Sequence, residues 1–267
     1  MKSLKYWLLV LGILSCFGCS SSIHEDNRGC SFICDSIQYR VEFMSAGCVR
    51  ILSYPEGDTL VTKRLVVDVE KPTFTDYKWE ETEQAFVFCT HELLVSFDKS
   101  DEAFTFREAS TGKLLLKEKD RRKARNFKRS EVGGEQCLEV TQRFIPTDEE
   151  AIYGLGQYQN GIMNYRGKSV LLLQANMDIV NPFLISTNGY GILWDNYSST
   201  KFEDTSEGYS FISEVGDASD YYFVYGKNMD EVVAGYRELT GDVPMFGKWV
   251  YGFWQSKERY KSFDELK

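Results

Sequence analysis

The sequence predicts a mainly β protein: an antiparallel β-sandwich followed by the first strand and helix start of a (β/α)8 barrel. Three observations carry this expectation. Apolar and polar residues alternate in short runs over most of the chain, which is the period of a half-buried strand. Turn-forming clusters such as Glu56-Gly57-Asp58 and Thr111-Gly112-Lys113 divide many of those runs, and strands at roughly ten-residue spacing without helices between them point to a sandwich. After Pro244 the pattern changes to a dense apolar run, a polar loop and a capped helix start.

The first 35 residues are set apart from the rest. Lys2 and Lys5 precede an apolar run ending at Leu14, the layout of a secretory signal, and too short to span a membrane comfortably. Gly18-Cys19 followed by Ser20-Ser21-Ser22 resembles a bacterial lipobox, although Cys16 and Phe17 depart from its usual small and aliphatic residues. The expectation is a signal peptide over 1–18, lipidation at Cys19 and a polar tether over 19–35. The protein would then sit in the periplasm or at the cell surface, held to a bacterial membrane by the lipid. Seven cysteines occur, and five remain once Cys16 and Cys19 are set aside, which is no disulfide framework. Cys30 and Cys34 are candidates to pair; Cys48, Cys89 and Cys137 lie in apolar, strand-like settings and read as small core residues.

The sandwich is expected over 36–245. Residues 36–43 alternate cleanly, and strand-like runs follow at 48–53, 65–70, 84–90, 93–98, 103–108, 138–144, 169–174, 182–187, 191–195 and 221–225. The first long helix follows Asn228, an N-cap with Glu231 three residues on. Val232, Val233, Tyr236 and Leu239 mark one face, and Gly241 and Pro244 stop it. Beyond it, 249–254 reads Trp-Val-Tyr-Gly-Phe-Trp, consistent with a strand buried on both faces. A polar loop and the capping box Ser262-Phe263-Asp264-Glu265 complete the opening of a β/α unit over 246–267. An eight-fold barrel typically needs about 250 residues, so the chain is expected to stop inside a domain.

Charge narrows the function. A net charge of −9 argues against nucleic acid as a partner. The basic run over 117–129 reads as a solvated hairpin or loop. Two histidines, His24 and His91, and no zinc spacing leave little basis for a metal, and no cofactor is expected.

Four stretches together give a more specific signal. They are Tyr153-Gly154-Leu155-Gly156-Gln157; Val180-Asn181-Pro182-Phe183-Leu184-Ile185-Ser186 with Gly189-Tyr190-Gly191-Ile192-Leu193-Trp194-Asp195-Asn196; Tyr221-Tyr222-Phe223-Val224-Tyr225-Gly226; and Gly252-Phe253-Trp254-Gln255-Ser256-Lys257-Glu258-Arg259-Tyr260. In this order and spacing the chain resembles glycoside hydrolase family 31, most closely its α-xylosidase branch, over residues 36–267. The resemblance implies a galactose-mutarotase-like N-terminal sandwich and a catalytic barrel behind it. It implies hydrolysis of α-linked sugars with retention, with a carbohydrate as substrate. That chemistry uses two carboxyl groups about 5–5.5 Å apart, in the family two aspartates from later barrel strands. No matching Asp-Gly-x-Trp-x-Asp stretch is present, so no catalytic residue is assigned and the chain alone is expected to be inactive.

What the resemblance does carry over is support. A sandwich loop of the family reaches toward the barrel mouth, and its match here is Gln174-Ala175-Asn176-Met177-Asp178. Asp178 is the candidate contact to a sugar hydroxyl, Trp254 a candidate wall of the sugar pocket, and Gln255 a candidate β/α-loop contact. A turn-capping Asp and a packing Trp are the ordinary alternatives. A non-catalytic carbohydrate-binding lipoprotein is the competing function; a mutarotase-like enzyme on the sandwich alone wants a histidine-rich site that two histidines do not supply.

Overall fold

The computed structural model describes residues 23–58, 64–67, 74–122 and 126–267. The signal segment, Cys19 and the serines after it lie outside those residues, as does the 68–70 part of one expected strand. In chain order the strands are β1 (His24–Glu25), β2 (Cys30–Cys34), β3 (Ile37–Ser45), β4 (Cys48–Pro55), β5 (Lys78–Glu81), β6 (Ala85–Cys89), β7 (Leu93–Asp98), β8 (Ala103–Glu108), β9 (Leu114–Glu118), β10 (Phe127–Val132), β11 (Glu135–Ile145), β12 (Ile152–Gln157), β13 (Ser169–Leu172), β14 (Ile179–Ser186), β15 (Tyr190–Trp194), β16 (Thr200–Thr205), β17 (Gly208–Gly216) and β18 (Ser219–Tyr225). They form two antiparallel sheets. The first runs β1-β2-β3-β4-β18-β15-β14-β12; the second runs β13-β16-β17-β11-β9-β8-β7-β6-β5, with β10 paired to β11 as a branch. The protein is the antiparallel β-sandwich that the alternation predicts.

Alternation places the rings. Phe32, Tyr39, Phe43, Phe86, Phe97, Phe104, Trp194 and Phe223 point between the sheets and are buried. Phe106 stacks on Phe223 at 4.2 Å and Trp194 on Phe211 at 5.5 Å. The outer face of the first sheet is covered by α1 (Met229–Thr240). Asn228 caps it by accepting from the Glu231 amide at 2.9 Å, while the Glu231 carboxylate accepts from the Lys227 amide. Val232 and Leu239 join Phe183, Leu193 and Val224 there, and Tyr236 stacks on Phe183 at 4.2 Å. Gly191 makes this approach possible: a Cβ there would stand 2.6 Å from the Phe183 ring and 2.8 Å from Val232.

Several expectations are corrected. Residues 24–34, placed in the tether, form β1 and β2 of the first sheet. The Ser-rich composition hides an alternation in which Cys30, Phe32 and Cys34 all face the core. Glu25 is bound by Tyr77 and by the Trp79 indole, each donating at 3.0 Å, which ties this edge to the second sheet. Cys30 and Cys34 are free thiols; four residues along one strand span about 13 Å, beyond disulfide reach. Cys89 is exposed and Cys137 half-buried, so only Cys48 of the three is a core residue. Residues 65–67 form bends rather than a strand. The basic run is not a solvated loop throughout: Arg121 is 6% exposed, held inside by Glu118, Gln142 and Ser53.

The largest correction concerns 249–254. Expected as a buried strand, it is a short 3-10 turn, Lys248–Tyr251, followed by irregular chain. Among the described residues no strand lies alongside to pair with it. The backbone instead closes on itself, Val250 N to Gly247 O at 3.0 Å and Gly252 N to Trp249 O at 3.2 Å. Trp249 and Phe253 are 76% and 88% exposed. Ser262 does cap α2 (Phe263–Leu266), accepting from the Glu265 amide, while the Glu265 carboxylate accepts from the Lys261 amide.

Candidate functional site

The two sheets each end in a strand next to the Gln174–Asp178 loop: β12 edges the first sheet and β13 the second. The glycine-rich stretch Tyr153-Gly154-Leu155-Gly156-Gln157 is a bulged edge strand. Its register against β14 shifts between Gly154 and Gly156. Gly154, Leu155 and Gly156 all have positive φ, 98°, 65° and 120°, as a local kink demands. A Cβ at Gly156 would stand 2.0 Å from the Ile179 carbonyl oxygen. Leu155 is fully buried and anchors the bulge. The kink brings Gln157 opposite Ile179, directly after the loop.

The loop is a braced turn. Ala175 and Asp178 form an isolated antiparallel bridge, and Met177 takes a left-handed conformation, φ 69°. The Gln174 side chain spans the base, its Nε2 donating to the Asp178 carbonyl at 2.9 Å and its Oε1 accepting from the Val180 amide at 3.1 Å. Gln174 therefore sets where Asp178 stands. The Asp178 carboxylate makes no hydrogen bond or ion pair with another described residue, and it is close enough to Tyr158 to help raise that hydroxyl to about 12, after burial, the larger cause, and Tyr165. The Tyr158 hydroxyl donates to the Leu155 carbonyl at 3.0 Å, so bulge, Tyr158 and turn form one unit. Tyr165 is buried against Phe202 and packs the core. The turn supplies a single carboxylate, and retaining hydrolysis needs two. What a single carboxylate on a turn can do is accept hydrogen bonds.

Trp254 and Gln255 stand elsewhere. Trp254 is exposed and its indole donates to the Val250 carbonyl at 2.7 Å; Gln255 donates to the Tyr260 hydroxyl. Among the described residues no hydrogen bond or ion pair joins either to Asp178. The structure thus builds the Asp178 turn, with no hydrogen bond or ion pair joining the three candidates among the described residues.

A second polar cluster lies on the outer face of the first sheet, which sequence reasoning missed. Arg50 holds Asp220 through both carboxylate oxygens and donates to Glu42 at 2.8 Å, where Arg64 donates too at 2.7 Å. Beside them Asp195 is raised to about 6, by burial first and then by the Asp220 charge, and its Oδ1 has no partner. Two neighbouring carboxyls in different surroundings can divide acid and base roles. Here, however, Asp220 is engaged by Arg50 on both oxygens and buried, so the cluster holds the sheet. Long-range pairing, 170 residues apart for Arg50 and Asp220, leaves no local sequence signal.

Comparison with known proteins fixes the class. Residues 38–203 match the glycosyl hydrolase 31 N-terminal galactose mutarotase-like domain, and the chain belongs to glycoside hydrolase family 31 as an N-terminal part of it. It is 37% identical over 246 residues to an α-xylosidase of Saccharolobus solfataricus, an alignment covering 86% of this chain and 32% of that protein. Two solved structures share the fold: a family 31 α-xylosidase from Xanthomonas citri, with TM-score 0.79 at 24% identity over 91% of this chain and 43% of that one, and one from a soil metagenome in complex with xylose, with TM-score 0.77 at 23% identity over 92% and 38%. The chain thus spans about a third of the length of that curated relative.

Proposed function

We propose that this chain is the N-terminal portion of a retaining α-glycosidase of the α-xylosidase type, acting on α-linked sugars of plant polysaccharides or oligosaccharides. The observation that carries this reading is the 37% identity to an α-xylosidase sustained over 86% of the chain. The catalytic aspartates belong to a barrel beyond these residues, and 246–267 leads into it. The exposed rings of 249–254 support this, since an apolar run without a partner among the described residues marks a surface that another part covers. Within that arrangement the Gln174-braced turn presents Asp178 to a sugar hydroxyl. Lipidation at Cys19 would tether the enzyme where such polysaccharides are met; finding a Cys19→Ser protein still in the membrane fraction would remove the tether.

The test is an assay on an aryl α-xyloside. The 267-residue chain is expected to show no turnover, and the product of the reading frame continued through a barrel is expected to turn over. In that longer product Asp178→Ala should lower kcat/KM about tenfold, the cost of one hydrogen bond from a charged group. Turnover by the 267-residue chain after rigorous purification would overturn the reading.

A further inference from the structure

Two Asn-Gly pairs occur in the chain, Asn160-Gly161 in the loop between β12 and β13 and Asn188-Gly189 in the turn between β14 and β15. In such a pair the asparagine amide is open to attack by the next backbone nitrogen, because glycine has no Cβ to shield that nitrogen. The structure treats the two pairs oppositely.

At Asn188 both reacting nitrogens are held. Its Nδ2 donates to the Leu115 carbonyl at 2.7 Å and to that of Leu114 at 3.3 Å. The Gly189 amide donates to the Ser186 carbonyl at 3.2 Å. Gly189 is buried, and a Cβ there would stand 2.7 Å from the Gly226 carbonyl oxygen. Water has little access to this turn.

At Asn160 both nitrogens are free. Asn160 and Gly161 are exposed, and among the described residues neither Asn160 Nδ2 nor the Gly161 amide makes a hydrogen bond. Gly161 takes φ 70°, and a Cβ there would meet nothing within 4 Å. The one bond present falls on the atom where it assists attack: Asn160 Oδ1 accepts from the Ile162 amide at 2.9 Å. An N–H aimed at that oxygen stabilises the negative charge it gains when Cγ is attacked, as an oxyanion hole does. Ile162 packs against the core, which fixes the donor.

We propose that Asn160 is a site of self-modification, converted through a succinimide to aspartyl and isoaspartyl forms. The Gly161 nitrogen gives up its proton and bonds to Asn160 Cγ. The Cγ–Nδ2 bond breaks, and Nδ2 leaves as ammonia. Water then opens the ring. Cleavage between the ring nitrogen and Cγ gives aspartate; cleavage between that nitrogen and the Asn160 backbone carbonyl carbon gives isoaspartate, with the chain rerouted through the side chain. One water is consumed and one ammonia released. Either product adds a carboxylate two residues from Tyr158, which is tied to the β12 bulge and lies near Asp178. This does not rest on the glycosidase reading.

Peptide mapping by mass spectrometry tests it, on the folded 267-residue chain held in mildly alkaline buffer made with oxygen-18 water. Asn160 should convert at least about tenfold faster than Asn188, the worth of one or two hydrogen bonds withheld from the reacting atoms. Each converted Asn160 should carry one heavy oxygen, and an isoaspartyl fraction should be present. In urea the two rates should converge, since both pairs then lose their structural surroundings. Gly161→Ala should slow Asn160 at least about tenfold and leave Asn188 unchanged, one added methyl shielding the nucleophile. Asn160→Gln, which keeps the amide but needs a larger ring, should stay unmodified and carries the same test should Gly161→Ala fail to fold. Equal rates at the two pairs in the folded chain refute the proposal, as does an unmodified Asn160. Conversion of Asn160 without isoaspartate, at a rate that Gly161→Ala does not change, refutes it as well.

Discussion

Trp194 sits on β15 with its indole donating to Ser213 at 2.9 Å and its ring wholly buried, while Trp254, past α1, is 65% exposed. The same contrast holds for whole regions. Rings of the sandwich interlock between two sheets, whereas Trp249, Tyr251, Phe253 and Phe263 all face outward. Apolar density is alike in both, so density does not decide burial. A strand is a shared structure: its amides and carbonyls need a neighbour, and its side chains need a facing layer. Residues 30–34 find both on β3 and the second sheet, and a polar-looking stretch becomes core. Residues 249–254 find neither among the described residues, and an apolar stretch becomes surface.

The sharpest way to break this contrast is to delete one tryptophan from each region and measure urea unfolding. Trp194→Ala removes a filled volume and one of the hydrogen bonds of the Ser213 hydroxyl, which keeps its bond to Thr200, and should cost about 4 kcal/mol. Trp254→Ala should change stability by less than about 0.5 kcal/mol, as for an ordinary surface substitution. A large loss at Trp254 would mean that the segment packs on the sandwich in solution.

What was legible in the sequence follows the same division. Residues 93–98 and 103–108 alternate and coincide with β7 and β8, because one face is core and the other is not. Residues 200–205, Thr-Lys-Phe-Glu-Asp-Thr, went unread as β16. They have little strand propensity of their own and are held by ladders to β13 and β17. For 249–254 composition suggested a strand that pairing does not supply. At the candidate turn, Asp178 was singled out through the resemblance, while the Gln174 brace left no signal, since a side-chain amide spanning a turn leaves no pattern. Arg121 was masked by the basic run around it, its burial depending on Gln142 and Ser53, far away in sequence.

Glycines give a second, smaller comparison. Gly156→Ala would put a Cβ 2.0 Å from a backbone oxygen at φ 120°, where L residues are strained, and should cost about 3 kcal/mol. Gly252→Ala, at φ −86° with its nearest neighbour at 3.3 Å, should stay within about 0.5 kcal/mol in the same measurement. Equal effects would show that the bulge on β12 relaxes freely, and with it the position of the Asp178 turn.

Acidic groups supply the last and smallest contrast. Asp195 is raised to about 6 by burial and by Asp220, with the Tyr197 hydroxyl, then Arg50 and Arg64, pulling the other way. Glu265, on α2, is instead lowered by Lys257 and by the Lys261 amide. For Asp195 the folded state holds a proton that the unfolded chain releases near pH 4. Between about pH 4 and 6 the folded state therefore binds more protons, and stability falls as pH rises. The contribution is whole below about pH 4 and lost above about pH 6. Asp195→Asn stays neutral throughout, so its advantage over the parent should grow across that window by about 1 kcal/mol, the linkage for roughly two pH units after discounting for partial exposure. Glu265→Gln should leave the profile of sandwich unfolding unchanged, because α2 takes no part in the core. An Asp195→Asn profile parallel to the parent's would mean that Asp195 is ionised in the folded protein at pH 5, and that Tyr197, Arg50 and Arg64 together outweigh burial on that face.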